Sequence, residues 1–259
     1  MIDVKDNHAG SLIFLSHSHN DINEVRRVRD ALEAKGHNPL LFFLKCLDDN
    51  SELDDLIRRE IEARNFFLLC DSPNAQSSRW VQHEVELIKS MNGKVYRSID
   101  LGGPWQPQLD IIDDLSRQAT VFMCYAHRDR TIADQMVRKL RALDYRVLNF
   151  RDITPGTSWT EELHQLIDTA LANGSVVLLM SPEAMTSKGV HQEALYAAER
   201  RAAGASNIRP FVIRDPKTVY ALLHSRPEWA PFADMQWIEL TDIESLSLAE
   251  LSRMMDPTW

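Results

Sequence analysis

Residues 12–21 read Leu-Ile-Phe-Leu-Ser-His-Ser-His-Asn-Asp, and residues 120–129 read Thr-Val-Phe-Met-Cys-Tyr-Ala-His-Arg-Asp. Phe14 matches Phe122, His19 matches His127 and Asp21 matches Asp129, all at an offset of 108. Residues 72–84 (Ser-Pro-Asn-Ala-Gln-Ser-Ser-Arg-Trp-Val-Gln-His-Glu) match 181–193 (Ser-Pro-Glu-Ala-Met-Thr-Ser-Lys-Gly-Val-His-Gln-Glu) at an offset of 109. The identities there are Ser72/Ser181, Pro73/Pro182, Ala75/Ala184, Ser78/Ser187, Val81/Val190 and Glu84/Glu193. Two blocks in the same order at nearly one offset mark a duplication. A period this long is a whole domain and not a solenoid unit.

Each copy alternates apolar runs with amphipathic stretches. In the first, Leu12–Leu15, Leu40–Leu44, Phe66–Cys70 and Lys94–Ile99 read as strands. The stripe Val25, Val28, Leu32 predicts a helix that Gly36 ends; Leu53, Leu56, Ile57 and Ile61 predict another, and 79–91 a third. In the second copy, Val121–Cys124, Arg146–Phe150, Ser175–Met180 and Arg209–Ile213 read as strands. Helices are expected along Ile132–Leu143, Leu163–Leu171 and Val190–Ala203. Uninterrupted apolar strands between amphipathic helices predict a parallel sheet covered on both faces. The expected class is therefore α/β, with two flavodoxin-like doubly wound domains. Gly102-Gly103-Pro104-Trp105-Gln106-Pro107 reads as a linker. The expected domains are 1–107 and 108–259, with 109–118 a short helix leading into the second. Residues 216–259 have no counterpart in the first copy. They predict a helix, a strand-like Met235–Leu240 and a last helix, with Trp229, Trp237 and Trp259 packing onto the second domain.

Composition narrows the chemistry. The 259 residues are 44% hydrophobic and 26% charged, and 38 acids against 29 Lys plus Arg give a net charge of −9. That argues against a general nucleic-acid binder. No run of 18 apolar residues is present, so no membrane span is expected, and the polar, acidic first residues do not read as a signal peptide. Cys46, Cys70 and Cys124 form no CxxC pair and fit buried thiols in a reducing, cytoplasmic setting. His17-x-His19 lacks a third ligand spacing, and alternate strand-end residues face opposite sides, so no metal is expected. GxGxxG and GxxxxGK[ST] are absent, and nine glycines give a phosphate-cradling loop little support. Ser16 has no evident His and Asp relay.

Five features then recur in order. The first strand ends in Ser16, Ser18, Asp21, and in the second copy in Cys124, Ala126, Asp129. A polar loop follows the second strand, fullest at Asp152-Ile153-Thr154-Pro155-Gly156-Thr157-Ser158-Trp159. The third strand ends in Ser72-Pro73 and Ser181-Pro182, and Ser78 and Ser187 precede the next helix. Trp80 and Glu84 form a Trp-x-x-x-Glu pattern. With this set, each copy resembles a Toll/interleukin-1 receptor (TIR) domain of the bacterial type. The first copy departs at Lys45-Cys46-Leu47-Asp48-Asp49-Asn50, which lacks the Pro-Gly of the family's BB loop. The second departs at Gly189, in the place of the tryptophan.

In an open parallel sheet, ligands bind outside the carboxyl ends of the strands, where all these loops lie. Glu84 follows Trp80 by one turn, so both face one side of a helix. An aromatic plane beside a carboxylate suits a flat heterocycle on a sugar, and a carboxylate there stabilises an oxocarbenium-like centre. The resemblance points the same way: many TIR domains cleave NAD+ with a glutamate at this position, which makes Glu84 and Glu193 the catalytic candidates. Ser16, His19, Ser78 and Trp80 are candidates for lining the first substrate pocket, and Tyr125, His127, Trp159 and Ser187 for the second. Asp152, Pro155 and Gly156 belong to the implied assembly loop. NAD+ is then a substrate and no resident cofactor is expected. The product would be ADP-ribose or a cyclic or conjugated form, in antiphage or immune-type defence. Expected partners are TIR domains of the same or another chain, as a homo-oligomer on activation. Other readings stay open: a non-catalytic TIR–TIR assembly scaffold, a nucleotide-signal receptor, or a nucleoside-processing relative of the fold. The plainer readings make Glu84 a solvated helix residue, Trp80 a core residue and Cys46 a small buried thiol.

Overall fold

The protein is described from a computed structural model covering residues 10–41, 50–91, 93–153, 156, 158–171, 174–202, 207–240 and 242–255. It divides into two compact units: Met1–Ala119 with Leu143–Arg146, and Thr120–Ala142 with Val147–Trp259.

In the first unit the order is β1 (Leu12–Ser16), α1 (Ile22–Ala34), β2 (Asn38–Leu41), α2 (Asn50–Ala63), β3 (Phe66–Asp71), α3 (Pro73–Ser77), α4 (Arg79–Ser90), β4 (Val95–Asp100) and α5 (Trp105–Gln118). The sheet is parallel, in the order β2-β1-β3-β4. Its strands alternate between two buried faces. Ile13, Leu15, Phe66, Leu68, Cys70 and Ile99 pack against Val25, Val28 and Leu32 of α1 and Ile112 and Leu115 of α5. Phe14 and Phe67 point the other way, onto Ile57 and Ile61 of α2 and Ile88 of α4. Both faces being covered is why these strands read as unbroken apolar runs. Gly36 ends α1 as its composition predicts. At φ +81° it lets its own N–H reach Glu33 O at 2.9 Å and the His37 N–H reach Leu32 O at 3.1 Å.

The helix expected to lead into the second domain is α5, and its apolar stripe belongs to the first unit, in one cluster with α1. The segment Leu143–Arg146 completes this unit: Asp144, at φ +62°, accepts from Asn65 N at 3.1 Å. Asp is among the few side chains that tolerate that backbone region.

In the second unit the order is β5 (Thr120–Tyr125), α6 (Arg130–Ala142), β6 (Arg146–Leu148), α7 (Trp159–Leu171), β7 (Ser175–Met180), α8 (Pro182–Thr186), α9 (Lys188–Ala202), β8 (Asn207–Val212), α10 (Pro216–Ser225), β9 (Ile238–Glu239) and α11 (Leu248–Met255). The strand order is β6-β5-β7-β8-β9, the first unit's order with one strand added. Pairing is parallel from β5 through β7 and β8 to β9. The strand expected over Arg146–Phe150 stops at Leu148 because Asn149 caps a short 3-10 turn. Its side chain accepts from Arg151 N at 2.9 Å, and its own N–H donates to Asp152 Oδ2 at 2.8 Å. The strand-like 235–240 shortens to Ile238–Glu239. Trp229, in a 3-10 segment after α10, is fully buried in the cluster that joins α7, α9 and α10. Trp259 lies outside the described residues. No helix among the described residues is long and apolar enough to cross a membrane.

Candidate functional site

In each unit the last residue of the first strand meets a glutamate from the helix that follows the Ser-Pro turn. Ser16 ends β1, and strand alternation puts its side chain on the same face as Phe14, towards α4. There the Ser16 hydroxyl donates a short hydrogen bond to Glu84 Oε2. Glu84 sits in the second turn of α4 and is only 5% exposed. It is not the solvated helix residue of the plainer reading. Burial pushes its carboxyl up to about 7, against the Ser16 hydrogen bond, which favours the charged form.

The second unit keeps the carboxyl and changes its neighbour. Glu193 is 6% exposed, and burial pushes it up to about 7, with the Cys124 thiol opposing. Cys124 holds the place of Ser16; its thiol bonds to the Glu193 carboxyl and also lies 3.7 Å from Val190 O. Glu193 Oε2 is buried without a hydrogen-bond partner among the described residues.

Next to the glutamates lies a second, duplicated device. Ser72 Oγ donates to Asp21 Oδ2 at 2.5 Å, and Ser181 Oγ donates to Asp129 Oδ2 at 2.5 Å. Each of these serines also caps a short helix, accepting from Ala75 N at 2.9 Å and from Ala184 N at 3.0 Å. The loop after the first strand is thus tied to the loop after the third in both copies. Asn74 completes the first tie, donating to Asp21 Oδ1 at 2.6 Å. In the second unit Glu183 stands at the position of Asn74, and Arg214 approaches Asp129 Oδ1 at 3.4 Å instead. In the sequence Asp21 and Asp129 belong to the strand-end pattern and carry no role by themselves. Their signal was the shared offset with the Ser-Pro turns.

The remaining candidates take varied positions. Trp80 is half-buried on the Phe14, Ile57 and Phe67 cluster, with the Arg79 guanidinium 4.6 Å from its ring centre. Ser78 and Ser187 are N-caps of α4 and α9, each accepting from the N–H three residues on at 3.4 Å. His19 and His127 are exposed at the start of short 3-10 turns. Tyr125 is buried on the other side of β5 from Cys124, its ring 5.2 Å from that of Phe150. Burial pushes its hydroxyl up to about 12. Trp159 opens α7, is 53% exposed and lies 6.2 Å from Phe150. Asp152 closes the cap with Asn149. Gly156, at φ +94°, has open space where a Cβ would stand. Pro155 and residues 45–49, including Cys46, lie outside the described residues.

The raised carboxyls carry a stability consequence. A carboxyl whose folded pKa lies above its unfolded value stabilises the fold fully below the unfolded value, and that contribution is lost as pH climbs through the folded value. With Glu84 and Glu193 at about 7, the loss runs from the ordinary carboxylate range up to about 7. Each is expected to cost on the order of 3 kcal/mol by pH 8. Urea midpoints should fall between pH 5 and pH 8, and Glu193→Gln should flatten that fall for the second unit. An unchanged slope in the variant would refute the burial argument.

The comparisons with known proteins bear on this arrangement. A family model described as the TIR domain matches residues 13–99 and 121–254, well over half of the chain. Among solved structures, the chain is similar to the TIR domain of the Toll-related receptor TRR-2 from Hydra magnipapillata. That likeness is at 22% identity and a TM-score of 0.36, over 48% of this chain and 86% of that one. No curated protein gives a significant match. The duplicated α/β units, each with a sheet led by the same strand order and each matched by the same family model, show that the chain belongs to the TIR domain family, with one TIR domain in each half.

Proposed function

We propose that this protein cleaves the nicotinamide–ribose bond of NAD+, as a cytoplasmic enzyme of defence that acts when its TIR domains assemble. The observation that carries the reading is Glu84: a carboxyl at the carboxyl edge of a parallel sheet, nearly buried, oriented by Ser16, with its protonation balanced near neutral pH. Nicotinamide leaves NAD+ as a neutral molecule, and the electron pair of the glycosidic bond goes with it. The ribosyl carbon is left as an oxocarbenium-like cation. A carboxylate fixed in a low-dielectric surround stabilises that cation more than water does. Water then attacks the cation, giving ADP-ribose and a proton that a carboxylate of this basicity can accept; an internal nucleophile would give a cyclic product instead. No metal or resident cofactor is needed for these steps.

A second reading is a TIR–TIR assembly scaffold. It is favoured by Trp159, an exposed aromatic beside the open Gly156 turn. The test is nicotinamide release from NAD+ by concentrated wild-type protein, with Glu84→Ala, Glu193→Ala and the double variant in parallel. Release that the double variant abolishes supports the enzyme. No release from folded, self-associating wild type, with association weakened by Trp159→Ala, gives the scaffold.

A further inference from the structure

Sixteen residues into the chain a hydroxyl meets a carboxyl; 108 residues later the same place holds a thiol that divides its contact between a carboxyl and the Val190 carbonyl. The two donors differ in kind. A serine O–H is a full hydrogen-bond donor, whereas a cysteine S–H is a weak one. Each has a single proton. Ser16 gives its proton to Glu84 Oε2, whereas the Cys124 thiol is shared between the Glu193 carboxyl and a backbone carbonyl of α9. Glu193 Oε2 is buried without a hydrogen-bond partner among the described residues, where Glu84 Oε2 is held. A carboxyl fixed at one oxygen presents its other oxygen in a defined direction. One held only by a weak thiol donor is freer to rotate about its terminal torsion, which is broad for Glu.

We infer that Ser16 is the positioning residue for Glu84, and that Cys124, a weaker donor shared with a backbone carbonyl, aims Glu193 poorly, so that turnover belongs to the first TIR domain. This rests on the glycohydrolase reading above. It assigns Ser16 a role through Glu84 and not through direct contact with substrate. The second domain keeps the carboxyl, the Asp129–Ser181 tie and the fold, with a weak thiol donor in the place of the hydroxyl that orients the group.

The inference is tested by steady-state nicotinamide release across pH 5–9 with the full chain. The variants are Ser16→Ala, Ser16→Cys, Ser16→Thr, Glu84→Gln and the pair Glu84→Gln/Cys124→Ser. Loss of a hydrogen bond to a charged group is worth about 10- to 100-fold, so kcat of Ser16→Ala and Ser16→Cys should fall by that much. KM should stay within about twofold, because the lost interaction acts in the transition state. The rising limb of the pH profile should move up by roughly one unit, since the bond to Ser16 favours the charged carboxylate. Ser16→Thr, which keeps a hydroxyl, should restore most of the rate. Cys124→Ser in the Glu84→Gln background should raise the residual rate at least about tenfold, by giving Glu193 a full donor in place of a weak one. Circular dichroism of the near-isosteric Ser16→Cys separates loss of aim from loss of fold. If Glu84→Gln kills the reaction while Ser16→Ala and Ser16→Cys keep the wild-type kcat and pH profile, the inference is overturned and the enzyme reading stands. If concentrated wild type releases no nicotinamide, both fall together.

Discussion

Glu84→Gln is expected to lower nicotinamide release by about 10³-fold and, in the same molecule, to make the first unit harder to unfold at pH 8. The loss follows from charge. An amide of the same shape keeps the packing on α4 but cannot neutralise a developing cation, and removing one preorganised electrostatic group of this kind costs on the order of 4 kcal/mol of transition-state stabilisation. The gain follows from burial. Glu84 is almost completely enclosed, and its carboxyl is pushed up to about 7, so at pH 8 the fold has to carry a desolvated charge. A neutral glutamine removes that cost and still offers Ser16 an acceptor. The stabilisation should be present at pH 8 and absent near pH 4.5, where the native carboxyl is already neutral. Wild-type activity should rise with pH through about 7 and level off above it, because the ionised form does the work. Urea melts at the two pH values, read beside the rates, decide the matter. A variant that is slower but no more stable at pH 8 would show that Glu84 is not a buried charge in solution.

Trp229→Ala should produce the largest change in stability. The indole is fully buried and touches Phe232 at a ring separation of 5.4 Å, and its N–H donates to Met185 O at 3.1 Å. Truncation leaves a large cavity and takes from the Met185 carbonyl the closer of its two donors, the other being Arg226 Nη1 at 3.5 Å, a combined cost of about 3–5 kcal/mol. With an urea slope of about 2 kcal/mol/M, the midpoint of the second unit should drop by roughly 2 M, while the first unit's transition stays in place. Trp229→Phe should fall between, keeping most of the apolar volume and losing the hydrogen bond. A midpoint unmoved by Trp229→Ala would mean that the segment after α10 is an appendage and not part of the second core.

The alternation of strands and helices was legible because both faces of each sheet are buried, so apolar runs and helical stripes report the packing directly. Gly36 was legible as a helix end because the left-handed turn it makes is a local property. Glu84 was legible through repetition. What sequence spacing could not supply was partnership. Ser16 and Glu84 are 68 residues apart, and nothing in either neighbourhood says that one donates to the other. Periodicity likewise gave α5 an apolar stripe without saying which core receives it; it packs with α1. The cap formed by Asn149 and Asp152 cut a strand short at a place where composition still read as strand. For Ser78 and Ser187 the local signal of a serine before a helix describes what they bond, while their position in the motif is what makes them pocket candidates.

The paired ties of Asp21 to Ser72 and Asp129 to Ser181 have outlived the divergence around them. Where the neighbouring donor changed from an amide to a guanidinium, the tie itself kept its length. Such a brace behaves like a hinge pin: it is retained whether or not the door is still used. A surveyor of duplicated chains who ranks copies by their Asp and Ser-Pro signatures will therefore count buildings, not workshops, and the trade practised inside each must be judged from the hydroxyl or thiol at the threshold.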